Sequence, residues 1–239
     1  MLFFNCVGLL ATSWGIDKKI SKDSYFCYYI RNTNTNSYYC LGSYRNILST
    51  GTDLSNNVTI QPGTKIIADQ AFYYDTNSFQ GTLSIPTSVV YIGESSFYAC
   101  SKITSIIFNT SITNLKEIGS YCFANCSSLG TLEWEKLLWL QKIGEHAFYS
   151  CSKLSSITLC SNVGNNVGTY AFQNCSSLNS ITMSSFQSYP NWPTTSDGYS
   201  YIFQNVAASG KIKVQGTLSA ASMLELFKRV HKLPGTWGT

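Results

Sequence analysis

Four cysteines recur in near-identical surroundings, and the chemistry open to them decides whether this chain transforms a substrate or presents a surface. They are Cys100, Cys126, Cys151 and Cys175. A repeated cysteine can ligate a metal, form a disulfide, act as a nucleophile or fill the core. A metal needs several converging ligands, and the only histidines, His146 and His231, are far apart in sequence. A nucleophile needs a base within reach and would not be copied four times, so we expect neither kind of site.

Disulfides between neighbouring copies are the remaining chemical alternative. Adjacent strands lie about 4.8 Å apart, but their in-register side chains point in parallel, which leaves the Cβ atoms farther apart than the roughly 3.8 Å mean of real bridges. In the last copy, Val206 occupies the cysteine position. A position that accepts valine favours a small apolar group, and buried free cysteine behaves as one. We therefore predict that these cysteines, the cysteine column, are packing thiols.

The cysteines belong to an internal repeat, whose spacing defines the elements that hold them. One aromatic position anchors each unit, at Phe97, Phe123, Phe148 and Phe172. These positions are 26, 25 and 24 residues apart, and the cysteine follows each phenylalanine by three residues. Two worn (degenerate) copies contain Phe203 and Phe72. In the copy that contains Phe72, Leu83 and Ile85 lie two residues later than expected, which indicates a short insertion. We count six units.

This periodicity predicts a solenoid. A unit of about 25 residues cannot bury its own apolar face, so successive units must stack and share one core. Apolar residues nine and eleven positions after each phenylalanine predict one short strand per unit and a parallel sheet. A glycine four residues before each phenylalanine is expected to adopt positive φ in a tight turn. The solenoid should span residues 58–215, after an N-terminal region (1–57) and before a C-terminal helical cap (216–239).

The helical cap is predicted from the amphipathic stretch SAASMLELFKRVHK (219–232). Ser222 and Glu225 have the spacing of a capping box, and Pro234-Gly235 should end the helix. The apolar side chains expected to face the final repeat are Met223, Leu226, Phe227 and Val230.

Composition argues against several classes of function. Only 12% of the 239 residues are charged, and the net charge of +4 is spread along the chain. Without a basic run to follow a phosphate backbone, we expect no nucleic-acid partner. No apolar stretch reaches the roughly 18–20 residues of a membrane-spanning helix. No phosphate-loop, dinucleotide, metalloprotease or nucleophile-elbow motif occurs, so we expect no enzyme and no cofactor.

The stretch IPTSVVYIGESSFYACSKITSIIF (85–108) resembles the BspA-type leucine-rich repeat almost column for column. The units of that family run I-P-x-S-V-x-x-I-G-x-x-A-F-x-x-C-x-x-L-x-x-I-x-L, and the resemblance covers about two thirds of this chain. It implies a leucine-rich repeat solenoid of α/β-type repeats with a parallel sheet face. It also implies a non-enzymatic protein, secreted or exposed on bacteria or protists, that binds host surface or matrix proteins in adhesion.

Two surfaces are candidates for binding such a protein ligand. The first is the sheet face at the eighth and tenth positions after each phenylalanine, which points away from the core. Its members are Ser105, Ile107, Thr131, Glu133, Ser156, Thr158, Ser180 and Thr182. This face is acidic in the middle and basic at one end, at Lys211 and Lys213. The second is the loop 186–201, where Tyr189 and Trp192 are candidate contacts, although Trp192 could equally fold back onto the solenoid.

The N-terminal region leaves alternatives open. Residues 1–15 fit a worn repeat tail better than a signal peptide, since they lack a basic start and a clear cleavage site. Segments 25–30 and 37–44 predict a β-hairpin across which Cys27 and Cys40 could face each other, and a bridge there would require an oxidising location. The alternative to a surface protein is an intracellular scaffold, or a fragment of a larger repeat protein.

Overall fold

The computed structural model describes residues 14–17, 27–32, 37–43, 60, 62–74, 80–108 and 113–239. The first strands are β1 (Trp14–Asp17), β2 (Cys27–Asn32), β3 (Ser37–Ser43), β4 (Thr64–Ile67), β5 (Gly81–Ile85), β6 (Tyr91–Ile92) and β7 (Ile103–Phe108). They are followed by β8 (Glu117–Ile118), β9 (Thr131–Leu132), β10 (Lys142–Ile143), β11 (Ser156–Cys160), β12 (Ser180–Ser184) and β13 (Ser209–Gln215). Helix α1 (Ala220–Val230) and strand β14 (Thr236–Gly238) complete the chain.

The first four units each contribute to two parallel sheets, whereas the sequence predicted one. The predicted strand after each phenylalanine forms a broad face in two parts, β5-β7-β9 and β11-β12-β13-β14. The residues just before the repeated glycine form a second, narrow parallel ladder, β4-β6-β8-β10, which continues into β3, β2 and β1. Within the described part of the repeats, turns and 3-10 helices join these strands, and the α-helix lies at the C-terminus.

The strand registers confirm the assignment of the two worn copies. Leu83 of β5 pairs with Ile106 of β7, which places the two-residue insertion before β5. Ile181 of β12 pairs with Ile212 of β13, so the last copy is aligned as predicted. The solenoid inferred from periodicity is therefore confirmed.

The phenylalanines that anchor the units form a continuous stack through the core. Neighbouring rings are nearly parallel, with centroids 5.1 to 6.1 Å apart and interplanar angles of 7 to 18°. The stack comprises Phe72, Phe97, Phe123, Phe148, Phe172 and Phe203, and all six are fully buried. Each buried phenyl ring contributes roughly 1.5–3 kcal/mol of hydrophobic stabilisation, so this column is a principal source of solenoid stability.

Two non-glycine residues in every unit have a left-handed backbone, one two positions before the phenylalanine and one two positions after it. In the third unit these are Tyr121 (φ 54°) and Asn125 (φ 61°). Left-handed φ costs an L-residue roughly 1–2 kcal/mol. The cost is offset because both N–H groups donate to carbonyls of the next unit, Tyr121 to Glu145 at 2.8 Å and Asn125 to Tyr149 at 2.7 Å. Asn174 (φ 63°) has the equivalent conformation in the fifth unit.

The expectation that the repeated glycine has positive φ is wrong. None of Gly93, Gly119, Gly144 and Gly168 lies in that region. The reason for glycine is close approach, because a Cβ atom at Gly144 would lie 2.3 Å from the backbone nitrogen of Ser120 in the preceding unit. The equivalent distances at the other three positions are 2.4 to 2.6 Å. Only glycine allows the narrow sheet to stack at this spacing.

Helix α1 closes the core at the C-terminus, but its start differs from the prediction. The N-cap is Ser219, whose side chain accepts a hydrogen bond from the Ser222 N–H at 3.3 Å, so the proposed Ser222–Glu225 capping box is wrong. Met223 and Phe227 are buried as predicted, and Phe227 extends the phenylalanine stack at 4.9 Å from Phe203. The remaining predicted residues, Leu226 and Val230, are only partly buried, and Leu224, which was not predicted, is buried.

Beyond the helix, β14 adds a further parallel strand to β13, with Gly238 opposite Lys211. At the other end, β2 and β3 form the predicted antiparallel hairpin. Its register places Cys27 opposite Ser43 and Cys40 opposite Tyr29, so the two cysteines are not directly paired across the strands. Residues 1–13 lie outside the described part of the chain.

Candidate functional site

The cysteine column consists of buried thiols, as predicted. The structure adds a directional bond that the sequence argument did not include, because each thiol donates to the carbonyl of a phenylalanine in the preceding unit. For Cys126 and Cys151 the Sγ-to-oxygen distances are 3.2 Å to Phe97 and 3.1 Å to Phe123. Burial raises the pKa of both thiols well above the ordinary value. Neutral thiols in such surroundings are poor nucleophiles.

Cys122 and Cys126 are separated by three residues, a spacing that also occurs in zinc sites. In the structure their sulfur atoms contact different groups. Cys122 Sγ lies 3.4 Å from the hydroxyl of Ser96, whereas Cys126 Sγ points to the carbonyl of Phe97. The described residues contain no group of three or more histidine, cysteine or acidic side chains placed to hold a metal ion.

The C-terminal part of the broad face is the most regular exposed surface of the solenoid. Strands β11, β12 and β13 pair in strict register, so that Ser156, Ser180 and Lys211 form one row and Thr158, Thr182 and Lys213 the next. A third row is formed by Cys160, Ser184 and Gln215. All nine side chains are exposed or half-buried, while the intervening isoleucines are buried. We call these three rows the hydroxyl–lysine face.

The N-terminal part of the broad face is smaller. Ser105 pairs with Thr131 across β7 and β9, and its hydroxyl lies 2.8 Å from that of Thr82 on β5. Ile107 is 38% exposed and stands beside this hydroxyl row as an apolar contact. The predicted residues Ser105, Ile107 and Thr131 thus share one surface. Their strands belong to a different sheet from the strands of the hydroxyl–lysine face.

Glu133 was predicted as an exposed acid on this surface, but the structure assigns it a structural role. Its carboxylate accepts the Phe108 N–H at 2.7 Å and pairs with Lys136 Nζ at 2.9 Å. Lys136 in turn donates to the Phe108 carbonyl at 2.9 Å. Partial burial raises the pKa of Glu133, but its bonds to Lys136 and the Phe108 amide outweigh this effect and hold the pKa below the ordinary value.

The Glu133 and Lys136 side chains bond to the backbone of Phe108, where a longer β9 would have paired. Strand β9 ends after two residues because a 3-10 helix, Trp134–Lys136, begins there. On the other side of the break, the indole N–H of Trp134 donates to the Ser156 carbonyl at 3.1 Å. Side chains therefore satisfy the backbone groups that a longer β9 would have paired, and the broad face is divided at this unit.

In the loop 186–201, the structure separates the two predicted aromatic contacts. Trp192 is only 2% exposed, and its indole N–H donates to the Gly164 carbonyl at 3.0 Å. It therefore folds back onto the solenoid, so its prediction as a ligand contact is wrong. Tyr189 is 42% exposed and lines an open groove of about 600 Å³. The groove is formed with residues of α1, among them Glu225, Leu226 and Arg229.

Two features that include aromatic residues were missed by sequence reasoning. Trp139 and Leu138 are 56% and 42% exposed on the turn that follows the 3-10 helix. Their outward orientation has no periodic signature, since they lie between the repeat columns. A second ring stack runs along the outer turns, where His146 lies between Tyr121 and Tyr170 with centroids 4.6 Å from each. The signal for this stack was available, because all three residues are two positions before the phenylalanine.

The stacked units, with their buried phenylalanine, cysteine and leucine columns and their parallel broad face, define a leucine-rich repeat protein. The chain belongs to the BspA type leucine-rich repeat family, whose model matches residues 65–192 in six copies. In the described part of the chain, no helix has the length and apolar character needed to cross a membrane.

Two solved structures have the same fold. A leucine-rich repeat protein from Bacteroides ovatus aligns over 92% of this chain with 20% identity and a TM-score of 0.55, and this chain spans 53% of its length. The leucine-rich repeat protein TpLRR of T. pallidum aligns over 90% of this chain with 20% identity and a TM-score of 0.57, and 96% of that protein is covered. No curated protein sequence matches the chain. At this level of identity the likeness extends to the fold alone.

Proposed function

We propose that this protein binds another protein through the broad face of its solenoid and has no enzymatic activity. The observation that carries the proposal is the strict register of β11, β12 and β13, which displays the hydroxyl–lysine face on a rigid support. Solenoid sheets commonly provide extended binding surfaces of this kind. Because the backbone is fixed by the core beneath, little conformational entropy would be lost on binding.

Ser156, Thr158, Ser180 and Thr182 are the central contacts in this proposal. Hydroxyl groups both donate and accept hydrogen bonds, so they suit the amide and carbonyl groups of a protein ligand. Ser105, Ile107 and Thr131 offer a second, smaller contact area on the other part of the broad face. Tyr189, on the rim of the groove beside α1, is a further candidate anchor.

The family resemblance supports a location at the cell surface or outside the cell, with a host surface or matrix protein as ligand. The test is antibody labelling of native source cells, intact and after permeabilisation. Labelling of intact cells is the expected result. Labelling only after permeabilisation would remove the adhesin-like role and favour the alternative, an intracellular scaffold.

The binding role itself is tested with a variant that fills the face. Thr182→Trp places a bulky side chain in the centre of the hydroxyl–lysine face without changing the charge. In a plate assay against purified host matrix and surface proteins, the unmodified protein should show saturable binding that this variant loses. Ser127→Trp, at an exposed turn position, is the matched control and should bind as the unmodified protein does. Equal binding by both variants would contradict the use of this face.

A further inference from the structure

The two halves of the solenoid carry opposite charge. From residue 60 to 145 there are five lysines against seven acidic residues, a net charge of −2. From residue 146 to 239 there are six basic residues against two acidic ones, Asp197 and Glu225, a net charge of +4. None of the strands β11 to β14 contains an acidic residue. The hydroxyl–lysine face therefore lies entirely in the basic half.

The lysines of this face are free to meet a ligand. Lys211 and Lys213 are exposed, and neither takes part in any of the ion pairs found within the described residues. The position beside Lys211 on the last strand is Gly238, where a Cβ atom would have no neighbour within 4 Å. At this position β14 therefore places no side chain beside Lys211.

We propose that the hydroxyl–lysine face binds an extended acidic segment of a partner protein, with Lys211 and Lys213 as the residues that select for carboxylates. This inference rests on the proposed function, because it names the partner chemistry of the same face. Lys211 and Lys213 are two residues apart on β13, or about 6.6 Å along the strand. An extended peptide lying along β13 repeats its side chains with the same period, so carboxylates at alternate positions meet both ammonium groups.

The hydroxyl rows favour a peptide over a sulfated polysaccharide. A sulfated polysaccharide carries its negative charge densely and needs a cluster of cations, whereas seven of the nine side chains of this face are neutral and two are lysines. Ser180 is the cross-strand partner of Lys211, and Thr182 is that of Lys213. Each lysine thus has a hydroxyl beside it, at roughly the 4.8 Å strand spacing, that can donate to or accept from the peptide backbone.

The inference is tested by fluorescence anisotropy of the full chain with a labelled peptide of alternating Glu and Thr, and with its Gln–Thr counterpart. The Glu–Thr peptide should bind about tenfold more tightly than the Gln–Thr peptide, because the amide removes the same two ion pairs. The double variant Lys211→Gln/Lys213→Gln should weaken binding about tenfold, as expected for two surface ion pairs. Sodium chloride at about 0.5 M should abolish most of the difference between the peptides.

The matched control is Lys102→Gln/Lys153→Gln, which removes the same charge from two exposed turn positions outside the face. It should bind the Glu–Thr peptide within about twofold of the unmodified protein. An equal loss in both double variants would show attraction by net charge alone and overturn the inference. Binding of heparin in place of the peptide would overturn it as well. If Thr182→Trp abolishes binding to a protein partner but Lys211→Gln/Lys213→Gln does not, the proposed function stands and the inference is wrong.

Discussion

The sulfur of Cys126 lies 3.2 Å from the carbonyl oxygen of Phe97, a residue of the preceding unit. The same oxygen accepts the backbone N–H of Cys100 at 3.1 Å, so each phenylalanine carbonyl joins its own unit to the next one. The arrangement repeats at Phe123, which accepts from the Cys126 N–H and the Cys151 thiol. Since the carbonyl is already satisfied by an N–H, the thiol bond is additional, which explains why valine is tolerated in the last unit.

We expect the thiols of the cysteine column to be unreactive in the native protein. Cys126 and Cys151 are fully buried with raised pKa values, whereas Cys160 is partly exposed at the end of β11. Alkylation with iodoacetamide followed by peptide mass spectrometry should therefore modify Cys160 before any cysteine of the column. The column should be modified only after unfolding, at which point every one of its cysteines should be alkylated. Native modification of Cys126 as fast as that of Cys160 would contradict the structure, and so would a disulfide within the column.

Replacement of the repeated glycine should be costly for reasons of space. In Gly144→Ala the new Cβ atom would lie 2.3 Å from the Ser120 nitrogen, so the backbones of two units must move apart. We expect a loss of about 3 kcal/mol in the free energy of unfolding, measured by urea denaturation. Gly130→Ala is the control, because its nearest neighbour would be 3.7 Å away, and it should change stability by less than about 1 kcal/mol. Equal effects at both positions would refute the close-approach explanation.

Removal of the Glu133 carboxylate should destabilise the break in the broad face. Glu133→Ala leaves the Phe108 N–H without its acceptor and Lys136 without its ion pair, at a cost of about 1–3 kcal/mol. Because the folded-state pKa of Glu133 is lowered, this contribution is present at neutral pH and is lost on acidification. Glu135→Ala, at the exposed neighbouring acid, should change the urea midpoint little. If Glu133→Ala left the urea midpoint unchanged, Glu133 would be a surface acid without a structural role.

Much of the fold was predictable because the core repeats. Every buried column is set by its distance from a phenylalanine, and the register of Leu83 against Ile106 was readable from the sequence alone. The narrow sheet was not, since three of its strands have only two residues, such as Tyr91 and Ile92, which are too few to show an alternating pattern. The sequence correctly indicated that the repeated position requires glycine, but positive φ was the wrong reason. The actual reason, close approach of two units, is a tertiary property.

The candidate site was less predictable than the core. Offsets along the strand placed Ser156 and Thr182 on the exposed face correctly, because alternation fixes direction. The sequence could not show that the Glu133 carboxylate accepts the Phe108 N–H of the neighbouring strand, since that bond depends on where β9 ends. Trp192 illustrates the same limit: an aromatic residue in a polar loop can face solvent or core, and only the fold decides.

His231 lies at the C-terminal end of α1. A helix C-terminus favours protonated histidine by up to about 2 kcal/mol. Here burial prevails, because the imidazole is 1% exposed and packs against the rings of Trp192, Phe203 and Phe227. Its Nδ1 contacts the Ser200 hydroxyl, and its Nε2 has no hydrogen-bond partner among the described residues. Burial lowers the pKa of His231 from 6.5 to about 4.

The sign of the pH effect follows from this shift. Between pH 6.5 and 4 the unfolded chain binds a proton at His231 that the folded protein does not, so stability falls as the pH is lowered through this window. The full effect is about 3 kcal/mol, and it is complete below pH 4. Urea midpoints measured from pH 7 to 4 should fall less steeply in His231→Gln than in the unmodified protein. His146, whose pKa burial also lowers, is present in both proteins, so the difference between the two curves reports His231 alone. Parallel curves would mean that His231 is protonated in the folded protein, and the cap would then need a different packing around its imidazole.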